Sequence, residues 1–236
     1  MSNNRNAVII GGTSGLGLGT AEFLSEKGYN VVVGGRSEVK IKGVDFLYID
    51  VASENSVKNF FNSLSLDKID ALVYSAGTTT AKKDITEFST EEYFRVHDVN
   101  LLGAILVLKY AYKSISKAKG RIVIVSSLAA RMFSQFSGFE YTITKTGLSG
   151  LVKQLAIDFA KDKVRINTIY PGMIETPLLS ENVEQSELDE IVASIPMRRI
   201  ARTEDIIPMI ALLISEQNNY ITGAGIDING GQYLTA

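Results

Sequence analysis

The sequence has no cysteine, no tryptophan, one histidine and four prolines. Without cysteine there is no disulfide framework, no thiolate nucleophile and no cysteine-ligated zinc. The single histidine, His97, excludes a two-histidine metal motif within one chain and argues against zinc hydrolase chemistry, so no metal site is expected. It reads as a partly exposed helix residue, and Asp98 beside it as surface. Excess charge is lacking too: 24 Lys+Arg stand against 26 Asp+Glu, a net charge of −2, which leaves no basic footprint for a dedicated nucleic-acid binder. No apolar run approaches the ~20 residues of a membrane span, since the longest, Leu101 to Leu108, ends at Lys109. The opening residues lead into only four apolar positions before Gly11-Gly12, too few for a secretory signal. The expectation is a cytoplasmic protein.

What is present is a 236-residue chain that is 45% hydrophobic, enough for one domain with a full core. Short β-branched runs at 7–10, 31–33, 46–49, 71–74, 121–125 and 164–169 read as strands covered on both faces. Amphipathic stretches at roughly 15–28, 53–65, 90–117, 141–162 and 203–215 separate or follow them. That alternation predicts an α/β fold with a doubly wound parallel sheet of about seven strands in one domain over 1–236. Two further strands are expected after Pro171. The stretch 173–202 has no clear periodicity and reads as a substrate loop with a short helix near 184–193, one that acts as a lid.

Ligands in such sheets bind at the carboxyl ends of the strands, and the loops there carry unusual residues. Gly11-Gly12-Thr13-Ser14-Gly15-Leu16-Gly17 joins the first strand to the first helix, where backbone can approach a pyrophosphate and the helix N-terminus favours its charge. The alternative is a turn that merely allows close packing. After the second strand, Gly34-Gly35-Arg36 has no acid for ribose hydroxyls, whereas Arg36 can face a 2′-phosphate. Asp50-Val51 ends the third run and suits either an adenine amino group or a helix cap.

Tyr141 and Lys145, four residues apart, share a helix face, and a nearby ammonium favours phenolate and makes the hydroxyl a proton donor or acceptor. Ser126-Ser127 end the fifth strand, where a hydroxyl can hold a carbonyl oxygen. Asn100 is a polar residue at the apolar edge of a long helix, with local helix distortion as its plainer role. Pro171-Gly172 and Thr176 form a rigid turn able to touch a bound ring.

These residues in this order resemble the compact form of the short-chain dehydrogenase/reductase family along the whole chain. Gly11, Gly15 and Gly17 match its glycine motif, Ala76-Gly77 its fourth-strand motif, and Asn100, Ser127, Tyr141 and Lys145 its catalytic tetrad; Gly223 and Gly230-Gly231 also fit. The resemblance implies NAD(P) binding and hydride transfer to or from a carbonyl or alcohol. In that pattern Tyr141 is the general acid in reduction, Ser127 positions the substrate oxygen, Lys145 holds the nicotinamide ribose and lowers the Tyr141 pKa, and Asn100 supports a proton-relay water. The implied cofactor contacts also include Thr13, Ser14, Leu16, Arg36, Asp50, Val51, Ser75, Pro171, Gly172, Ile174 and Thr176. Three features depart from the pattern: Ile10 in place of Thr, Tyr74-Ser75 in place of an Asn pair, and a Ser127-to-Tyr141 spacing one residue long, which leaves Ser126 as an alternative to Ser127.

Arg36 makes NADP(H) the expected cofactor over NAD(H). Leu128, Met132, Phe133, Phe136, Phe139, Met173, Ile174, Leu178 and Leu179 flank the reacting centre with few polar groups besides Arg131, Gln135 and Glu140, so the expected substrate is an apolar cyclic or aromatic ketone or its alcohol. A 3-oxoacyl thioester reductase and a non-catalytic NAD(P)-sensing regulator are the alternatives. Surplus apolar residues on 101–112 and 148–159 predict a homo-oligomer, tetramer or dimer.

Overall fold

A computed structural model describes residues 5–175 and 185–235. Seven strands form one parallel sheet: β1 (Asn6–Ile10), β2 (Asn30–Gly35), β3 (Val44–Tyr48), β4 (Ala71–Tyr74), β5 (Arg121–Val125), β6 (Arg165–Pro171) and β7 (Gly225–Ile228). Their order is β3-β2-β1-β4-β5-β6-β7. The direction of winding reverses between β1 and β4, which opens a crevice at the carboxyl ends of those two strands.

Strand residues alternate between the two faces. Val8, Ile10, Leu72 and Ile122 join one core with α2 (Glu54–Ser63), α4 (Gly103–Ala118) and α5 (Phe139–Ala160). Ala7, Ile9, Val73 and Val123 join the other, with α1 (Gly15–Glu26) and α7 (Thr203–Ile214). Because both faces are covered, the central strands read as unbroken apolar runs.

The stretch read as one helix over 90–117 is α3 (Thr90–His97) and α4 joined without a break by a wide turn, Asp98–Leu102. The 173–202 region contains α6 (Gln185–Ser194), close to the expected position, and its base is closed by bonds from Glu175 N–H to the Ala201 carbonyl (2.8 Å) and from Ala201 N–H to the Met173 carbonyl (3.0 Å). Only one strand, β7, follows Pro171 among the described residues, where two were expected. Between β6 and β7 the chain passes through helices instead, and β7 closes the sheet edge on β6. Among the described residues no helix is long and apolar enough to cross a membrane.

Candidate active site

The glycine loop lies on the crevice. Gly11 adopts φ +80°, and a Cβ there would stand 2.5 Å from the Ala76 nitrogen, so the turn rests directly on the chain leaving β4. Gly17 meets the same constraint from the helix side: its Cβ would lie 2.0 Å from the Gly11 carbonyl oxygen. The close-packing role and the open helix end therefore coexist. Ser14, the residue capping α1, is exposed and its side chain accepts nothing from the first turn, so the helix presents its N-terminus to solvent. Such a terminus holds phosphate oxygens through main-chain N–H groups.

At the end of β2, a Cβ on Gly35 would meet the Thr13 side chain at 2.6 Å. Any acid at that position would displace Thr13. Arg36 is exposed and has no hydrogen-bond or ion-pair partner among the described residues. Asp50 does not cap α2: Ser53 does, accepting from Ser56 N–H, while Asp50 accepts from Ala52 N–H at 3.1 Å. Val51 is buried in the core. Ser75 N–H donates to the Ile10 carbonyl at 2.8 Å and extends the sheet alignment up to Ala76-Gly77. A helix N-terminus without a capping acceptor beside an unpartnered guanidinium fits a phosphate-bearing dinucleotide.

The other half of the site forms where β5 and α5 meet. Lys145 is 4% exposed; its Nζ donates to the Val125 carbonyl at 3.0 Å, and burial pulls its pKa down to about 8. Asn100 is fully buried in the wide turn, with its Oδ1 accepting from Thr78 N–H (2.8 Å) and its Nδ2 donating to the Thr78 carbonyl (2.9 Å) and to Thr144 Oγ1 (3.1 Å). The helix distortion expected as the plainer role of Asn100 is present, and its side chain is engaged by Thr78 and Thr144. A methyl on Gly77 would sit 3.4 Å from Lys145 Nζ and 3.6 Å from Asn100 Oδ1, which places Gly77 between them.

The two serines separate by geometry. Ser126 is buried and its hydroxyl donates to the Lys145 carbonyl at 2.8 Å, pinning α5 to the end of β5. Ser127 accepts from Ala129 N–H at 3.2 Å, and its hydroxyl lies near enough to the Tyr141 phenol to draw the phenol's pKa down.

Two expectations are corrected. The Tyr141 pKa is raised, by burial, and the contact that draws it down is the Ser127 hydroxyl; Lys145 Nζ lies 5.6 Å from the Tyr141 ring centre and is committed to Val125. Arg131 is not a free polar group of the substrate wall. It forms a two-pronged pair with Asp227 (3.0 and 3.1 Å), donates to the Gly225 carbonyl and lies 4.0 Å over the Tyr170 ring. Sequence spacing gave no sign of that pair, which joins residues 96 apart.

Gly172 N–H donates to the Ile228 carbonyl, and Ile174 bridges to Ala201, so the turn after Pro171 is held from two sides. Thr176, Leu178 and Leu179 lie outside the described residues. Met132, Phe133 and Phe136 are exposed between Ser127 and Tyr141. His97 stacks on Tyr93 and contacts Asp98 at 3.0 Å, a surface arrangement.

A sheet wound in this order, with a glycine turn at its crevice and Ser, Tyr and Lys gathered beside it, defines a dinucleotide-dependent oxidoreductase class. The sequence profile described as enoyl-(acyl carrier protein) reductase matches residues 11–232. The chain belongs to the short-chain dehydrogenase/reductase family, and it is an NAD(P)-dependent oxidoreductase. It is 30% identical to cis-4-hydroxycyclohexanecarboxylate dehydrogenase of Sinomonas cyclohexanicum, covering 96% of each chain. It is 31% identical to acetoacetyl-CoA reductase of Cupriavidus necator, covering 98% of each. The NADP-bound structure of ElxO superposes with a TM-score of 0.90 at 30% identity, over 97% of this chain and 98% of that one.

Proposed function

We propose that the protein interconverts an apolar cyclic or aromatic ketone and its alcohol with NADP(H). The observation that carries this is the meeting of Ser127, Tyr141 and Lys145 at the carboxyl end of β5, next to an uncapped helix N-terminus. When bound, the nicotinamide dinucleotide supplies the hydride in reduction and receives it in oxidation. Gly15, Leu16 and Gly17 would hold its phosphates, Arg36 its 2′-phosphate, Asp50 and Val51 its adenine side, and Lys145 its ribose.

The chain's own groups handle the proton. Burial keeps the Tyr141 phenol protonated at neutral pH, so in reduction it donates to the substrate oxygen as charge develops there. The Ser127 oxygen already accepts from Ala129 N–H, which fixes its rotamer and directs its own proton to the place where the substrate oxygen meets Tyr141. Asn100, spent on Thr78 and Thr144, keeps the wide turn against Lys145.

Exposed apolar Met132, Phe133 and Phe136 between Ser127 and Tyr141, with Arg131 withdrawn onto Asp227, favour a hydrophobic substrate. The relative that oxidises a hydroxycyclohexane carboxylate supports a cyclic one; the acetoacetyl-CoA reductase supports the thioester alternative. Completeness of the Ser, Tyr and Lys set speaks against a non-catalytic sensor. Ile105 on α4 and Ile157 on α5 are exposed and would pair across a symmetric interface in a dimer or tetramer, which light scattering at micromolar concentration checks.

The substrate reading is tested by kcat/KM for cyclohexanone-type ketones, polar hydroxy-ketones and acetoacetyl-CoA, each with NADPH and NADH. Cyclic ketones with NADPH are expected to give the highest value. A clear preference for the thioester or the polar ketones overturns it.

A further inference from the structure

The wide turn that carries Asn100 contains a hydrogen-bond exchange. In an α-helix the Gly103 N–H would donate to the Val99 carbonyl, four residues back. Here it donates to the Asp98 carbonyl, five back. The Val99 carbonyl instead accepts from the hydroxyl of Tyr74 at 2.5 Å. Tyr74 is the last residue of β4 and has no exposed surface. Burial drives its pKa upward, so the phenol remains a donor across the working pH range.

The neighbouring residues are fitted to this contact. A Cβ at position 103 would lie 2.7 Å from the Tyr74 hydroxyl oxygen, 2.9 Å from Val51 Cβ and 3.0 Å from the Asp98 carbonyl oxygen, so only glycine leaves space for the phenol to reach the helix. Tyr74 is also the first of the two positions, Tyr74 and Ser75, where the end of β4 and the residue after it depart from the family's Asn pair. The chain therefore places a bulky phenol where the family pattern has a carboxamide, and the helix opposite accommodates it.

We infer that Tyr74 is a positioning residue for Asn100: its hydroxyl replaces the helical bond that Val99 loses and so holds the turn in its widened form. The widened turn sets the Asn100 carboxamide against Thr78 and Thr144, and the single Thr144 hydroxyl proton is shared in turn between the carbonyls of Glu140 and Tyr141 in the first turn of α5. The chain of contacts runs from the end of β4, through Val99 and Asn100, to the backbone of the proposed proton donor. Without the hydroxyl, the partly buried Val99 carbonyl loses this partner, and the turn relaxes toward an ordinary helix that rotates Asn100 away. The inference rests on the proposed role of Asn100 at the site.

The test is Tyr74→Phe, which keeps the ring and removes the bond. Hydrogen exchange followed by mass spectrometry on the cofactor-bound protein is expected to speed up by about tenfold or more at residues 98–104, with β4 unchanged. With the best ketone from the substrate screen, kcat is expected to fall by about tenfold or more while both KM values stay within about twofold. Unchanged exchange at 98–104, or an unchanged kcat at a temperature where the variant is folded, overturns the inference. If Tyr74→Phe does not fold, wild-type protein decides: a Tyr74 hydroxyl proton that exchanges slowly with water in NMR supports the bond, and a rapidly exchanging one overturns it. Tyr141→Phe run alongside separates the two readings, because full activity there removes the proposed chemistry while the exchange result still judges Tyr74.

Discussion

Lys145 donates through Nζ to the main-chain oxygen of Val125 at 3.0 Å, and Ser126, next in the chain after Val125, donates back to the Lys145 carbonyl at 2.8 Å. This reciprocal pair fixes the first turns of α5 on the end of β5. It holds a buried cation, and that has a consequence for stability.

Burial lowers the Lys145 pKa to about 8 in the folded chain, against ~10.4 when unfolded. Between those values the unfolded state binds more protons, so this residue's contribution to stability rises as pH increases from 8 to 10. Below pH 8 both states carry the charge and the folded state bears a penalty on the order of 3 kcal/mol. Lys145→Met removes that dependence. The difference in melting temperature, wild type minus Lys145→Met, is expected to increase with pH across this range; a difference that is flat or falls contradicts the burial argument.

The serines are expected to fail in different ways. Ser126→Ala loses one buried hydrogen bond, costing about 1 kcal/mol by chemical denaturation, with kcat nearly kept. Ser127→Ala should leave stability almost unchanged and lower kcat by at least about a hundredfold. The reverse pattern would exchange their roles.

Arg131 closes the short turn that begins at Ser127, and its pairing with Asp227 ties that turn to β7. Asp227→Asn weakens a two-pronged, partly buried ion pair and should cost about 1.5–3 kcal/mol of stability. Equilibrium urea unfolding measures it. A loss below about 0.5 kcal/mol would show that the pair is no firmer than an exposed one.

Arg36→Ala should weaken NADP(H) binding about tenfold to a hundredfold and leave NAD(H) affinity nearly unchanged, since only the 2′-phosphate uses the guanidinium. Calorimetry with both dinucleotides checks this. Equal losses for the two cofactors, or tighter NADH binding by the wild type, would remove the assignment.

The central strands were legible because each is buried on both faces and reads as an apolar run. β7, Gly-Ile-Asp-Ile, was not, since it is a half-buried edge strand whose Asp227 is drawn inward by Arg131. The Tyr141 and Lys145 spacing gave their shared helix face. It could not show that the ammonium is committed to Val125, nor that Ser127 rather than Ser126 meets the phenol, because those contacts depend on how β5 docks on α5. The long helix over 90–117 was visible from its periodicity, but its widened turn depends on Tyr74 and Thr78, which are distant in sequence.

The most direct test of the proposed chemistry is Tyr141→Phe assayed with the best ketone, alongside cofactor binding by calorimetry. Turnover is expected to fall by about a hundredfold to ten-thousandfold, the range of a lost general acid, while cofactor affinity changes less than about threefold. A variant that keeps most of its turnover would contradict the assignment of the proton to Tyr141.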